Sequence, residues 1–257
     1  FDNLNYPHPK LPECIAIDEL RGNAGGEKFQ CNIADPVKHQ VIDILPSRNT
    51  ENLCKHFLEY PYKERAAVKK IIMDLSTLFR SVAKSMFPEA KIVADKFHVI
   101  RVVINSLENV RKRIQKEFHA TKRKWFKRSR YLLLKPEYKL TSEDKTELAR
   151  MLNSSYDLEK AYVLKERFYE VFRKQTRTEA KKELGKWLLL AADLSLPEFR
   201  HCITTFSNWK TEIANIIGER VSNGFIEGSN NKIKVLKRIS YGVRNFDRFR
   251  NRILYLE

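Results

Sequence analysis

Long hydrophobic runs are absent from this chain of 257 residues. No apolar stretch approaches the roughly 20 residues that a membrane-spanning helix needs. No signal peptide with a hydrophobic centre opens the sequence either. The sequence therefore predicts a protein that is neither secreted nor membrane-spanning, and we expect it in the cytoplasm.

Cysteine is scarce, and its spacing excludes two further classes of protein. The four cysteines are Cys14, Cys31, Cys54 and Cys202. Their wide spacing differs from that of a zinc site or a redox pair, so we interpret them as reduced core residues. Internal repeats and low-complexity tracts are also absent. With 42% hydrophobic residues, the chain has the composition of a packed globular protein of one large or two modest domains.

Acidic residues are too few to balance the basic ones. The chain carries 49 Lys and Arg against 32 Asp and Glu, a formal net charge of +17. A surplus of this size repels itself unless a polyanion shares its environment. Nucleic acid is therefore the first candidate partner, and we expect the protein to associate with the nucleoid.

The order of predicted elements divides the chain into four parts. Residues 1–12 begin without Met and are rich in proline, so we interpret them as a linker and expect a domain upstream. Residues 13–99 mix strands and helices. Residues 100–218 carry apolar side chains at i, i+3, i+4 spacing, which predicts a large all-helical insertion. Residues 219–257 return to the core as a C-terminal helical part.

Five short β-branched runs bounded by turn signals predict the strands of the core. These runs are "CIAID" (14–18), "KFQCNIAD" (28–35), "HQVIDILP" (39–46), "KKIIMDL" (69–75) and "AKIVAD" (90–95). The first three predict an antiparallel meander, and one helix precedes each of the last two. This β-β-β-α-β-α-β order is the ribonuclease-H-like arrangement, an α/β fold with a mixed five-stranded sheet.

Aspartates close three of the predicted strands. Asp18 and Asp74 end the first and fourth strands, and Asp95 ends the fifth. A carboxylate at a strand end is commonly a solvated turn residue or a helix cap. If the first and fourth strands are neighbours, however, Asp18 and Asp74 repel each other and require a compensating cation. Mg²⁺ suits such a site, because it binds one or two carboxylates together with phosphate oxygens.

The stretch "SNGFIEGSNNKIKVLKR" (222–238) offers a third carboxylate. Ser222 or Asn223 is a candidate cap for a helix through this stretch. One stripe of that helix contains Glu227, Asn231, Lys234 and Arg238, and Asn231 is a candidate accessory residue of the site. A neighbouring apolar stripe that can dock on the sheet contains Ile226, Ile233 and Leu236. Glu227 is then either a metal ligand or a surface residue that pairs with Lys234 or complements the helix dipole.

Two basic clusters are candidate DNA contacts. The predicted contact residues are Arg111, Arg113, Lys124, Lys127 and Arg128 in the first cluster and Lys234, Lys237, Arg238 and Arg244 in the second. A charge run is commonly a solvated face. Few acids accompany these runs, however, and Trp125, Phe126 and Tyr131 are interleaved with the first, where aromatic rings could stack on exposed bases.

The run "SNGFIEGSNNKIKVLKRISYGVRNFDRFRNRIL" closely resembles the C-terminal signature of DDE transposases of the ISL-three-type bacterial insertion-sequence family. "IAIDEL", "IIMDL" and "IVADKFHVI" resemble that family's earlier blocks in the same order. The resemblance implies a ribonuclease-H-like fold in which Asp18, Asp74 and Glu227 are catalytic and hold two Mg²⁺ or Mn²⁺ ions. Asp95 and His98 look like an accessory Asp-x-x-His element, although His98 also fits an ordinary helix-start residue.

The same resemblance implies a function. Such a protein cleaves the ends of an insertion sequence and transfers them to target DNA, working as a homo-oligomer on DNA. Family members usually carry an N-terminal zinc-binding and helix-turn-helix region that recognises the ends, and this chain shows none. An inactive or domesticated transposase acting as a DNA-binding module is the alternative. A ribonuclease-H-like nuclease without strand transfer shares every site residue.

Overall fold

The computed structural model describes residues 9–22, 24–219 and 224–256. The chain divides into two compact units. The sheet unit comprises the residues up to Asp95 together with those from Glu219 onward, and the helical unit is Lys96–Gly218. In the described ranges, none of the helices has the length and hydropathy of a membrane span.

The sheet unit is built, over its described residues, on a five-stranded mixed sheet. Its strands are β1 (Cys14–Leu20), β2 (Gln30–Asp35), β3 (Gln40–Leu45), β4 (Lys70–Met73) and β5 (Lys91–Ala94). Their spatial order is β3-β2-β1-β4-β5. The β3-β2 and β2-β1 pairs are antiparallel, and the β1-β4 and β4-β5 pairs are parallel. The five predicted strands and the antiparallel meander are confirmed.

Alternation along each strand gives the sheet two faces. Ala16 and Asp18 of β1 lie on one face, here the Asp18 face, whereas Ile15 and Ile17 lie on the other. The register continues the Asp18 face into β2, because Asn32 lies opposite Asp18. Residues of β1 on both faces are buried, as expected where parallel strands are covered on two sides.

Three helices follow the meander in the sheet unit. They are α1 (Thr50–Leu58), α2 (Tyr62–Ala67) and α3 (Thr77–Met86). Asn49 caps α1, because its side chain accepts a hydrogen bond of 2.8 Å from the Asn52 N–H. The sequence did not predict α2. This helix has six residues and none of them is buried, so it leaves no apolar periodicity to detect.

The helical unit contains helices and their connecting turns. Its α-helices are α4 (Lys96–Gln115), α5 (Ala120–Arg128), α6 (Arg130–Leu134), α7 (Ser142–Leu152), α8 (Tyr156–Tyr169), α9 (Arg177–Asp193), α10 (Arg200–Asn208) and α11 (Lys210–Ala214). Aromatic rings fill its centre. Phe168 stacks on Phe206 with 5.0 Å between ring centroids and meets Trp187 edge-on at 5.0 Å. The Trp187 Nε1–H donates to the Leu164 carbonyl at 2.8 Å, which satisfies its polar group.

Two helices of the sheet unit, α12 (Gly224–Ile239) and α13 (Phe246–Leu256), pack on the Asp18 face. Ile226 packs with Ala16 and Ala34. Ile233 and the partly buried Leu236 join a second cluster formed with residues of β1, β3 and α13. The predicted apolar stripe is therefore confirmed as a sheet contact. The predicted cap at Ser222 or Asn223 lies outside the described residues.

Turns between the strands also contact the start of α12 and the segment that follows this helix. The His39 ring, in the β2–β3 turn, stacks on Phe225 with centroids 5.3 Å apart. The Gly25 N–H donates to the Arg244 carbonyl at 2.9 Å. Gly25 has a φ of +64°, a left-handed conformation that glycine adopts without steric cost. These contacts tie the loops between the strands to the start of α12 and to the turn before α13.

Glu219 anchors the chain shortly before α12. Its carboxylate accepts hydrogen bonds from Lys70 of β4 and Lys91 of β5, and its side chain is only 6% exposed. Burial, the largest single influence, acts to raise the pKa of Glu219. The hydrogen bonds and charges of the two lysines together outweigh burial and lower that pKa below its ordinary value.

The lowered pKa of Glu219 predicts a pH-dependent contribution to stability. Because the folded-state pKa lies below the unfolded value of about 4.3, the contribution is present above that value and is lost as pH falls through the folded pKa. We expect Glu219→Gln to lower the free energy of unfolding at pH 7 by about 1–3 kcal/mol. Urea unfolding between pH 3 and 7 measures this. Glu89→Gln, at an exposed site, is the control. A pH-independent difference would contradict the assignment.

Candidate active site

Asp18 lies within β1 and Asp74 lies directly after β4, at the point where the parallel pairing of the two strands ends. The expectation that Asp18 ends its strand is wrong, because β1 stays paired with β2 as far as Leu20. β1 and β4 are paired so that Ile17 lies opposite Met73, and each aspartate is the next residue. Neighbouring strands lie about 4.7–4.9 Å apart, so the two backbones are close at this point. The condition for mutual repulsion, that the first and fourth strands are neighbours, is therefore met.

The Asp18 carboxylate is held by hydrogen bonds on both oxygens. Its side chain is 8% exposed. Oδ1 accepts a bond of 2.8 Å from the Glu19 backbone N–H, and Oδ2 accepts a bond of 2.8 Å from Nδ2 of Asn230 on α12. The Asn230 Oδ1 in turn accepts a bond of 2.8 Å from Nδ2 of Asn32 on β2. A line of side chains thus runs from β2 through α12 to Asp18.

Sequence reasoning missed Asn230 and selected its neighbour Asn231. In the structure Asn231 is exposed, and its Oδ1 accepts a bond of 3.4 Å from the Lys234 Nζ. Asn230 is buried and lies four residues after Ile226 and three before Ile233, inside the apolar stripe. A polar residue in a buried stripe needs a hydrogen-bonding partner. That position is the signal by which Asn230 could have been found.

The acids of this region affect the pKa of the buried Cys31 thiol. Burial raises the pKa of its thiol most, and the negative charges of Asp18 and Asp74 raise it further. The charges of both aspartates therefore act on the same buried thiol. Two neighbouring carboxylates suit a hard divalent cation, which prefers oxygen ligands. All four cysteines are free. Cys14, Cys31 and Cys202 are buried as expected of core residues, whereas Cys54 is half-buried.

The described residues contain a pair of neighbouring acids rather than a closed metal site. Within residues 9–22, 24–219 and 224–256, no group of three or more His, Cys, Asp or Glu side chains is arranged to hold a metal ion. Mg²⁺ is usually bound through one or two carboxylates, with waters and substrate phosphate oxygens completing its coordination. The donor set on the sheet fits that mode of binding.

Asp95 and His98 fall in different units. Asp95 is buried directly after β5, and its N–H donates to the Met73 carbonyl at 2.7 Å, so it continues the pairing of β4 with β5. His98 lies in the first turn of α4, half-buried, with its ring edge-on to Phe97 at 5.6 Å. Their accessory role stays a prediction.

Glu227 lies in the first turn of α12 and is exposed. It precedes Asn230 by three residues, so the two side chains share one side of the helix. Among the residues that the structure describes, Glu227 forms no ion pair, and Lys234 contacts Asn231 instead. The convergence of Glu227 with Asp18 and Asp74 stays a prediction.

Two predicted DNA contacts in the helical unit are already engaged within the protein. Arg111 is 4% exposed, and its guanidinium donates to Glu108 and Gln115. Its assignment as a DNA contact is therefore wrong, because the charged group is buried and paired. Arg113 bonds to Glu198 at 2.7 Å and Asp157 at 2.9 Å. Contrary to expectation, acids do accompany this part of the cluster.

The cations of α5 remain accessible. Lys124, Lys127 and Arg128 are exposed, and none of the three is ion-paired within the described chain. A shallow groove of about 460 Å³ is lined by Gln115, Phe118, Ala120, Arg123, Lys124 and Lys127. Two of the three interleaved aromatics are engaged within the fold, and the third, Tyr131, is exposed. Phe126 is fully buried, and the Trp125 Nε1–H donates to Glu147.

The cations of the second cluster lie mostly on the outer side of α12 and in the turn after it. Lys234, Arg238 and Arg244 are exposed. Lys237 is half-buried, and its Nζ donates to the Arg21 carbonyl at 3.4 Å. Burial, followed by the positive charge of Arg21, lowers the pKa of Lys237. Among the exposed members, Lys234 has a long bond of 3.4 Å to Asn231, so these side chains can turn toward a phosphate backbone at little cost.

The site combines a buried carboxylate on β1, a second carboxylate directly after the neighbouring strand β4, and a helix with exposed cations. The chain is thus an α/β protein whose side chains suit a metal ion and a phosphate. Comparison with known proteins identifies the family. Residues 15–253 match the model of the ISL3 family of DDE transposases, described as "Transposase". Because this match spans most of the chain, the chain belongs to that family.

Two relatives carry matching names. The transposase for insertion sequence element IS1001 of Bordetella parapertussis is 26% identical over 241 residues, which cover 92% of this chain and 59% of the relative. The transposase for insertion sequence element IS1557 of Mycobacterium tuberculosis (strain CDC 1551 / Oshkosh) is 28% identical over 254 residues, which cover 90% of this chain and 57% of the relative. The chain therefore spans less than two thirds of the length of these relatives.

Other similarities are more limited. A protein of Lactococcus lactis subsp. lactis named "ATP-dependent protease" is 36% identical over 94 residues, which cover 36% of this chain and 26% of that protein. A match of this extent does not bear on the family of the whole chain. No solved structure matched the chain.

The exposed cations of α5 lead to a prediction about DNA binding. We expect joint charge reversal, Lys124→Glu with Lys127→Glu and Arg128→Glu, to weaken binding to all DNA sequences. The slope of log affinity against log salt should flatten by about 0.9 for each phosphate of duplex DNA that the variant no longer neutralises. Fluorescence anisotropy across a salt series measures both effects.

A control with the same change in net charge is available on α9. Lys181→Glu with Lys182→Glu and Lys186→Glu reverses three exposed lysines there. We expect this variant to keep the wild-type salt slope. Equal flattening in both variants would mean that net charge, rather than the α5 surface, determines the salt dependence.

Proposed function

We propose that this chain is the catalytic part of an insertion-sequence transposase with a ribonuclease-H-like core, which cleaves DNA ends and joins them to target DNA. The observation that supports it most is the pair of aspartates, Asp18 and Asp74, that follow the last paired residues of the neighbouring parallel strands β1 and β4 in a member of a transposase family. The helical unit, Lys96–Gly218, is then an insertion into that core. DNA is the substrate, and a homo-oligomer on DNA is the proposed assembly.

Asp18, Asp74 and Glu227 would hold a pair of Mg²⁺ or Mn²⁺ ions. When bound, such ions activate an attacking oxygen and stabilise the leaving oxygen at a phosphodiester. The protein would supply carboxylate oxygens whose positions are fixed by the sheet. Asp18 lies in the central strand β1, and Asp74 directly follows its neighbour β4. Asp18 is already oriented by hydrogen bonds from Glu19 and Asn230.

Lys234 and Arg238 would position the DNA strand. They are exposed on the helix that carries Glu227, and they follow it by seven and eleven residues, on one stripe of α12. Carboxylates alone repel a phosphodiester. Cations along the same stripe offset that repulsion and hold the backbone on either side of the reacting phosphate.

Mutation should separate the metal-binding role of Glu227 from the DNA-binding role of Lys234 and Arg238. Glu227→Gln keeps the size of the side chain and removes its charge, so we expect it to abolish cleavage while metal-free DNA binding stays equal or becomes slightly tighter. Lys234→Ala with Arg238→Ala should weaken binding similarly for all sequences and leave residual cleavage at saturating DNA. Gel assays in Mg²⁺ on a duplex carrying the DNA that flanks the gene measure both.

Glu51→Gln is the matched control for Glu227→Gln. Glu51 is also an exposed acid in the first turn of a helix of the sheet unit. If Glu227 serves only the helix dipole, the two variants will behave alike and both will cleave at the wild-type rate. That result would remove Glu227 from the proposed metal ligands.

The carboxylate donor set also predicts how metal binding depends on DNA. Because Mg²⁺ is rarely enclosed by protein ligands alone, we expect weak binding to the free chain and tighter binding once phosphate oxygens complete its coordination. Calorimetry with and without duplex DNA, corrected for Mg²⁺ binding by DNA alone, measures the difference. Asp18→Asn should lose the DNA-dependent part. Equal Mg²⁺ affinity of the wild-type chain in both states would contradict a site completed by substrate.

A further inference from the structure

We propose that Asn230 is a positioning residue for Asp18, with Asn32 as its anchor, and that this pair of amides sets the metal affinity of the site. The inference rests on the proposed function, in which Asp18 is a metal ligand. Hydrogen bonds of the Asn230 side chain join α12 to β1 and β2.

The direction of these bonds follows from chemistry. An ionised carboxylate can only accept hydrogen bonds, so Asn230 must turn its Nδ2 toward Asp18. Its Oδ1 then faces Asn32, whose Nδ2 donates to it at 2.8 Å. The same Asn230 Nδ2 lies 3.5 Å from the Glu19 carbonyl. The amide of Asn230 is thus held at both ends, and its orientation is determined.

This arrangement orients Asp18 without neutralising it. Both bonds described for the carboxylate come from neutral donors, a backbone N–H and a side-chain amide. Neutral donors of this kind orient a carboxylate without supplying a positive charge of their own. Groups that hydrogen-bond to a metal ligand in this way fix its position and commonly change metal affinity about 10–100-fold.

Asn230 also determines how α12 is rotated on the sheet. The apolar contacts of Ile226 and Ile233 tolerate small rotations, because they are not directional. The bond from Asn230 to Asp18 is directional and buried. Glu227 lies three residues before Asn230 on the same helix, so a rotation of α12 that breaks the bond from Asn230 to Asp18 also moves Glu227. Loss of the Asn230 amide should disturb two of the three proposed metal ligands.

The test measures metal affinity directly. Mn²⁺ is titrated into the chain with saturating duplex DNA, and free Mn²⁺ is followed by electron paramagnetic resonance, with binding by DNA alone subtracted. We expect Asn230→Ala to raise the Kd for Mn²⁺ about 10–100-fold. Asn32→Ala should raise it less, since Asn230 keeps its bond to Asp18 but loses its anchor. The double variant should be no worse than Asn230→Ala, because Asn32 acts through Asn230.

Controls distinguish positioning from loss of structure. Asn109→Ala removes an exposed asparagine from α4 and should leave the Mn²⁺ affinity unchanged. Circular dichroism and the DNA affinity in the absence of metal should stay close to wild type in every variant compared. If Asn230→Ala does not fold, Asn32→Ala carries the test alone, and an unchanged Mn²⁺ affinity in that variant overturns the inference.

The experiment also separates this inference from the proposed function. Asp18→Asn is measured in parallel. If Asp18→Asn loses Mn²⁺ binding while Asn230→Ala binds as the wild type does, the positioning role of Asn230 is wrong and the metal site stands. Additive effects of Asn32→Ala and Asn230→Ala would likewise overturn the proposed connection between them. If Asp18→Asn binds Mn²⁺ as the wild type does, the metal site of the proposed function fails, and the inference fails with it.

Discussion

Helix α12 is held on the sheet by an apolar contact that contains one hydrogen-bonded amide, and the candidate site depends on that contact. Ile226 and Ile233 provide the attraction, at about 1.5–3 kcal/mol for each fully buried side chain. Asn230 sets the orientation of the helix, because burying an amide costs free energy unless its hydrogen-bonding partners are in place. The same helix therefore packs firmly and packs in one orientation.

The second constraint is electrostatic. The chain carries a net charge of +17, yet two aspartates stand side by side at the centre of its sheet. The hydrogen bonds described for Asp18 come from neutral groups, so they orient its charge without cancelling it. The exposed cations Lys234 and Arg238 lie on the outer stripe of α12. The negative charge of the aspartates thus lies on the sheet, and the positive charge lies on the outer side of α12. This separation suits a site that binds a metal ion and a phosphate backbone together.

The positive charge of the protein has more than one use. Arg111 and Arg113 belong to a basic run in sequence, but both are paired within the helical unit. Arg111 bonds to Glu108 of the same helix, whereas Arg113 joins α4 to Asp157 and Glu198. Lys70 and Lys91 hold Glu219 to the sheet. Only part of the basic surplus is therefore available to nucleic acid, and a count of charges alone overestimates the binding surface.

Local patterns in the sequence determined the elements. Runs of β-branched residues between turn signals predicted the five strands, and the apolar stripe of Ile226, Ile233 and Leu236 predicted a helix docked on the sheet. These patterns suffice because they reflect contacts repeated at a fixed spacing along the chain. The short helix α2 escaped prediction, since it buries no side chain and leaves no such pattern.

Tertiary structure alone decided which polar groups meet. The sequence places Asn230 and Asn231 side by side, and only the rotation of α12 on the sheet buries the first against Asp18 and exposes the second. In the same way, Arg111 and Lys124 look equivalent in a basic run, but folding buries one beside Glu108 and leaves the other in solvent. Asp18 and Asn230 are more than two hundred residues apart in the chain. A hydrogen bond over that separation depends on how complete elements pack, which no local spacing of residues specifies.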